Sequence, residues 1–148
     1  MGESVFQWQR RVEFRDTDAA GIVHFSVFFT YMEEAEHAFW RHLGRSVVEH
    51  LDDCTISWPR VAARCDYRQS IRFEQVVTID LSVQRLGEKS VTWGFHFHCD
   101  GQTIAEGSTT VVCCQFPTGD LREPVRPVPL TIPAATRDLL APWLAGSD

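Results

Sequence analysis

The stretch Arg15-Asp16-Thr17-Asp18-Ala19-Ala20-Gly21-Ile22-Val23-His24-Phe25 lies where two hydrophobic periods meet, and its reading decides the fold. Before it, Phe6, Trp8, Val12 and Phe14 alternate with Gln7, Gln9, Arg11 and Glu13. That is the period of a strand, with Arg10 breaking the alternation. After it, Phe25, Phe28, Phe29, Met32, Ala35, Phe39, Trp40 and Leu43 follow helical spacing, and Gly44 supplies a stop. Val27 and Tyr31 widen the apolar surface beyond one stripe, which predicts a helix nearly enclosed by other elements. The far half carries Glu33, Glu34, Glu36, His37, Arg41 and His42, so that end is expected to be partly wet.

Beyond the helix the period returns to two. Residues 45–55 read as a loop with a short helical turn. Val61, Ala63, Cys65 and Tyr67 then alternate with polar or small neighbours, as do Val77, Ile79, Leu81 and Val83, and then Val91, Trp93, Phe95 and Phe97. Asp100-Gly101 is a two-residue hairpin signal leading into a last strand near 102–116. The Pro-rich segment 117–133 cannot join a central sheet, and a short terminal helix is expected near 134–144. Strand, long helix and four mostly antiparallel strands make an α+β roll, with one long central helix covered by a five-stranded sheet.

The quoted segment sets two carboxylates shortly before the start of the most buried helix. A helix start offers unsatisfied N–H groups and the positive end of the peptide dipole. Such donors polarise a carbonyl and stabilise negative charge developing on its oxygen. A carboxylate beside them can attack the carbonyl carbon or activate water. Aspartates ahead of helices also serve simply as caps and turn formers. Asp18 lies seven residues before Phe25, farther than a cap requires, and Gly21 between them implies a tight backbone path. Spacing alone leaves both readings open.

The run Val12-Glu-Phe-Arg-Asp-Thr-Asp-Ala-Ala-Gly-Ile-Val-His-Phe25, followed by a long helix bearing Glu33, resembles the 4-hydroxybenzoyl-CoA thioesterase family of hotdog proteins. The likeness is specific over 12–36 and looser through Pro59-Arg-Val and Arg72-Phe-Glu-Gln-Val-Val-Thr-Ile. It implies one hotdog domain over 1–148 that hydrolyses an acyl- or aroyl-CoA thioester. By position, Asp18 corresponds to the catalytic carboxylate, Asp16 to a partner shaping the loop, and the backbone N–H near Phe25 to the carbonyl donor. Glu33 corresponds to an acidic helix position that orders water or the acyl group. Many relatives read Tyr-His at the pair where this chain has His24-Phe25, so His24 either faces the thioester or packs at the loop. Lys89, then Arg122, with Arg85 and Arg126 behind them, are the candidates for holding the CoA phosphates. Trp58 and Pro59 either line the acyl pocket or belong to the core. The resemblance also implies a homodimer or homotetramer with sites at the subunit boundary.

Composition narrows the alternatives. The chain has 148 residues, 44% hydrophobic and 23% charged, with a formal net charge of -6. That argues against a general nucleic-acid binder, which shows a basic surface. An acyl-carrier-protein thioesterase would need a basic docking face for its acidic partner, which the same charge disfavours. A non-catalytic acyl-CoA-binding protein of this fold is the remaining alternative. The five cysteines show no C-x-x-C or secreted framework and read as reduced thiols. No leader or membrane-spanning run is visible, so a cytoplasmic location without membrane partners is expected. His96 and His98 share a strand face, but no third ligand stands at a telling spacing. An ordinary polar face, without metal or cofactor, is therefore the expectation.

Overall fold

The computed structural model describes residues 4–117 and 126–146. The chain opens with β1 (Phe6–Arg11), whose residues alternate between half-buried and exposed. Arg10 falls on the inward face with Phe6 and Trp8, so the break in hydrophobicity is not a break in the strand. Phe14 leaves that pattern: it starts a 3-10 turn, Phe14–Asp16, and is 76% exposed.

Helix α1 (Val27–His42) follows. It buries Phe28, Tyr31, Met32, Ala35, Glu36, Phe39 and Trp40, the three-to-four spacing of one wide face. A run of short strands comes next, β2 (Glu49–His50) and β3 (Cys54–Ser57), where a loop with a short helical turn was expected over 45–55. The long strands are β4 (Arg60–Tyr67), β5 (Val76–Leu86), β6 (Ser90–Cys99) and β7 (Gln102–Val112). Asp100 and Gly101 take φ of 50° and 75°, both left-handed, as the tight β6–β7 hairpin requires.

The five-stranded sheet runs in the order β1-β5-β6-β7-β4, every pairing antiparallel. Its inward row of Val77, Ile79, Leu81, Trp93, Phe95 and Phe97 meets the helix. Phe39 packs edge-on to Trp93 with ring centroids 5.7 Å apart, and Phe28 to Phe97 at 5.4 Å. Each fully buried aromatic or branched side chain contributes roughly 1.5–3 kcal/mol over exposure, so this layer dominates the stability.

Two parts of the expected architecture need correction. The helix spans only 16 residues instead of forming one long central rod, and the five-stranded sheet is not alone; α2 (Ala134–Leu140) is the short terminal helix expected near 134–144. Expected strand 102–116 breaks at Cys113, and its end, β8 (Cys114–Pro117), turns away to pair with β3. With β9 (Val128–Pro129) this makes a second sheet in the order β2-β3-β8-β9. Directly after β3, Trp58, 3% exposed, packs on Trp40 near the far end of α1, the ring centroids 5.3 Å apart and the planes tilted by 32°. No helix among the described residues is long and apolar enough to cross a membrane.

Candidate active site

The segment 16–25 is folded back on itself before the helix begins. Thr17 bridges Val23, the Asp18 N–H donates to the Ile22 carbonyl at 2.8 Å, and the Gly21 N–H donates to the Asp18 carbonyl at 2.9 Å. Gly21 takes φ of 78°, which side chains other than glycine's reach only with strain. This turn brings positions 18 and 25 to one cleft despite their separation in sequence.

The cleft measures about 330 Å³. Asp18 and Phe25 lie at its rim, Ile22, Val23 and Phe28 give apolar walls, and residues 67–70 close it from the end of β4. One carboxylate oxygen of Asp18 accepts the Ala20 N–H at 2.8 Å, which orients the group; the other has no hydrogen-bond partner among the described residues. The Phe25 N–H likewise donates to nothing among them. The Phe25 carbonyl, by contrast, accepts the Tyr67 hydroxyl at 2.7 Å. Burial pushes the Tyr67 phenol up to about 12, with Cys65 adding to it, so the hydroxyl keeps its proton and donates. Arg68 is the cation lining the cleft, and its pairing with Glu106 at 3.3 Å joins two exposed groups and is weak.

Beneath the loop lies an ionic support centred on Asp16, with partners on β1 and α1 that the sequence reading did not name. Asp16 is buried, and one of its oxygens accepts the Glu13 N–H at 2.9 Å and the Tyr31 hydroxyl at 2.8 Å. Arg10 reaches it at 3.6 Å, bonds Glu34 at 2.8 Å and lies over the Tyr31 ring. The Asp16 carbonyl accepts the His24 N–H at 2.9 Å. Strand, helix and loop are thus tied at one carboxylate. The signal for it was Arg10, the charged residue at an inward strand position.

The other residues singled out in the sequence lie elsewhere. His24 turns its Nδ1 to Ser26, accepting the Ser26 N–H at 3.3 Å and contacting its hydroxyl at 2.7 Å. Glu33 is half-exposed and ion-paired with Arg60 at 3.2 Å. It lies roughly 140° round the helix from Phe28, by the 3.6-residue turn, and faces away from the cleft of its own chain. Trp58 belongs to the Trp40 cluster, and the Pro59 carbonyl accepts the Val112 N–H at 3.0 Å. Lys89 and Arg85 are exposed at the β5–β6 turn. That turn is the other end of the sheet: Val91 pairs Val111 there, whereas Phe97 and Ala105 lie by the cleft. Six residues of strand rise separate the two rows, about 20 Å. Arg122 lies outside the described residues. As cleft residues, sequence reading missed Tyr67, the last residue of the edge strand, and Arg68, Gln69 and Ser70 just after it, none of which carries a motif.

Comparison with known proteins settles the kinship. A profile of the thioesterase-like superfamily matches residues 12–142. The chain belongs to that superfamily. A 1,4-dihydroxy-2-naphthoyl-CoA hydrolase of Synechococcus elongatus is 28% identical over 114 residues, 76% of this chain and 84% of its own. The solved structure of a gentisyl-coenzyme A thioesterase superimposes with a TM-score of 0.72 at 28% identity, covering 92% of this chain and 99% of the other. A 1,4-dihydroxy-2-naphthoyl-CoA thioesterase from Synechocystis, 17% identical, shares the fold with a TM-score of 0.75 over 93% and 96% of the two chains. This thioesterase-like chain therefore has the hotdog architecture and is a thioester hydrolase, as the opening motif implied.

Proposed function

We propose that the chain hydrolyses an acyl- or aroyl-CoA thioester to the free acid and CoA, with Asp18 as nucleophile or general base. The observation that carries this reading is the pairing of an unpartnered Phe25 N–H with an oriented, half-free Asp18 carboxylate across one cleft. A thioester carbonyl lying between them has its oxygen on the amide, where charge develops in the transition state. Its carbon then faces the free carboxylate oxygen. As nucleophile, Asp18 forms an aspartyl anhydride and expels CoA thiolate, and water then cleaves the anhydride. As base, it takes a proton from water that attacks directly. The apolar walls of Ile22, Val23 and Phe28 suit the acyl group and lower the local dielectric, which strengthens both interactions. Arg68, at the rim, suits the attraction of an anionic CoA. The names of the relatives, which specify aroyl-CoA substrates, support the substrate class.

The test is release of free thiol from a panel of acyl- and aroyl-CoAs. Asp18→Asn and Asp18→Ala should lose at least about 10²-fold in kcat, the scale of general acid–base catalysis, while Phe25→Ala, which keeps the amide, retains most of it. Unchanged turnover in Asp18→Ala would end the proposal. Single turnover in labelled water separates the two routes: label entering the Asp18 carboxylate marks the anhydride.

A further inference from the structure

The outer face of the five-stranded sheet, opposite α1, carries a second constellation of reactive groups. Register places Gln7, Asp80, His96, Glu106 and Asp66 in one row across β1, β5, β6, β7 and β4. His98 is two residues beyond His96 on the same face, and the two rings stack at 5.3 Å. The Asp80 Oδ2 lies 3.1 Å from His98 Nε2 and 3.7 Å from His96 Nδ1. One ligand atom from each of the three residues falls within 4.8 Å of the others. Strand pairing thus supplies the third donor that spacing along the chain could not reveal.

The geometry points to a binding site for a zinc-class divalent cation held by Asp80, His96 and His98. Three features support it. First, the partners around the donors leave the right atoms inward. Gln7 Nε2 donates to the Asp80 Oδ1 at 2.9 Å, and His96 Nε2 bonds the Thr103 hydroxyl at 3.0 Å. With the Nε2 proton on that hydroxyl, His96 Nδ1 aims a lone pair at a carboxylate oxygen, an arrangement that a cation between them relieves. Outer partners of this kind set tautomer and ring orientation in metal sites. Second, two imidazoles and a carboxylate suit zinc, cobalt, nickel or copper, and not magnesium or calcium, which want oxygen alone. Third, the rings are 42% and 30% exposed, and His96 and Asp80 line an open groove of about 520 Å³, so an ion can enter and keep water in its remaining positions. Metal–ligand bonds of about 2.0–2.1 Å in a tetrahedral site need donors about 3.3 Å apart. The Asp80 Oδ2 distances of 3.1 Å to His98 and 3.7 Å to His96 bracket that value. Glu106, across from His96, is a further carboxylate within the same groove.

The site is independent of hydrolysis at Asp18, and its test reads binding. Calorimetric titration of the chelator-treated full chain with zinc chloride should give one ion per chain. Asp80→Ala and His98→Ala should each weaken it by at least about tenfold, and Thr103→Val, which removes only an outer partner, by about 10–100-fold. Thermal melts without metal check that each variant is folded. Cobalt loading should give weak d–d bands without a thiolate charge-transfer band, and Cys65→Ser should bind as the parent does. Stoichiometric binding that survives the Asp80→Ala/His98→Ala double variant, a thiolate band, or no binding beyond that of the double variant would each overturn the assignment.

Discussion

Glu36 is the residue whose placement departs most from its chemistry. It is a carboxyl on the buried face of α1, with one oxygen accepting the Trp93 indole N–H at 3.0 Å and the other paired with Arg60. Burial raises its pKa from 4.5 to about 7 against the lowering effects of Arg60 and Trp93, while Glu33 raises it further. Between those two values the folded state holds a proton that the unfolded chain has released, so stability falls as pH rises through that window. Thermal melts of the parent should therefore drop between pH 5 and pH 8. Glu36→Gln, which cannot ionise, should show a flatter profile, so the variant's melting temperature gains on the parent's as pH rises. A parallel pair of profiles would place the titration elsewhere. The catalytic proposal is also a residue-scale matter. The family resemblance of D-x-D-x-x-G made Asp18 a candidate, whereas nothing singled out Tyr67, because an aromatic at the end of an alternating strand looks like any other.

At the scale of elements, the helix lies against the sheet at a close contact over a glycine. A Cβ on Gly107 of β7 would lie 2.1 Å from the Met32 methyl and 3.0 Å from the Arg64 carbonyl. Gly107→Ala should cost about 1–3 kcal/mol in urea unfolding, the usual penalty of overpacking. Met32→Ala in the same chain should recover part of that loss, because the methyl is the nearer clash. Additive losses would show that the Arg64 carbonyl is the real obstacle. Most of this element layer was legible in the sequence: period two gave β5, β6 and β7, and three-to-four spacing gave the buried face of α1 nearly to its ends. Phe14 misled because one more apolar residue in phase extends a strand on paper, whereas Asp16 needs a turn there to reach Tyr31. The second sheet was illegible because strands of two to four residues are too short to show a period.

For the whole molecule, the open question is what meets the sheet edges. β4 ends the sheet order, and most of its residues are exposed on both faces, Val61 at 63%. An uncovered edge of this length invites another strand. The chain is expected to sediment as a dimer or a dimer of dimers, and Val61→Lys, which sets a charge on that edge, should shift it toward the monomer. A parent that runs as a monomer at micromolar concentration would contradict this. Such pairing would also give Glu33, Lys89 and Arg85, all remote from the cleft of their own chain, a neighbouring chain to face.

The contact between Glu36 and Trp93 reaches beyond stability. Indole emission responds to a charge placed at its nitrogen, and here one carboxyl, linked through Arg60 to β4, takes up or releases that charge near neutrality. The fold therefore carries its own fluorophore for the state of its interior, legible without any attached dye.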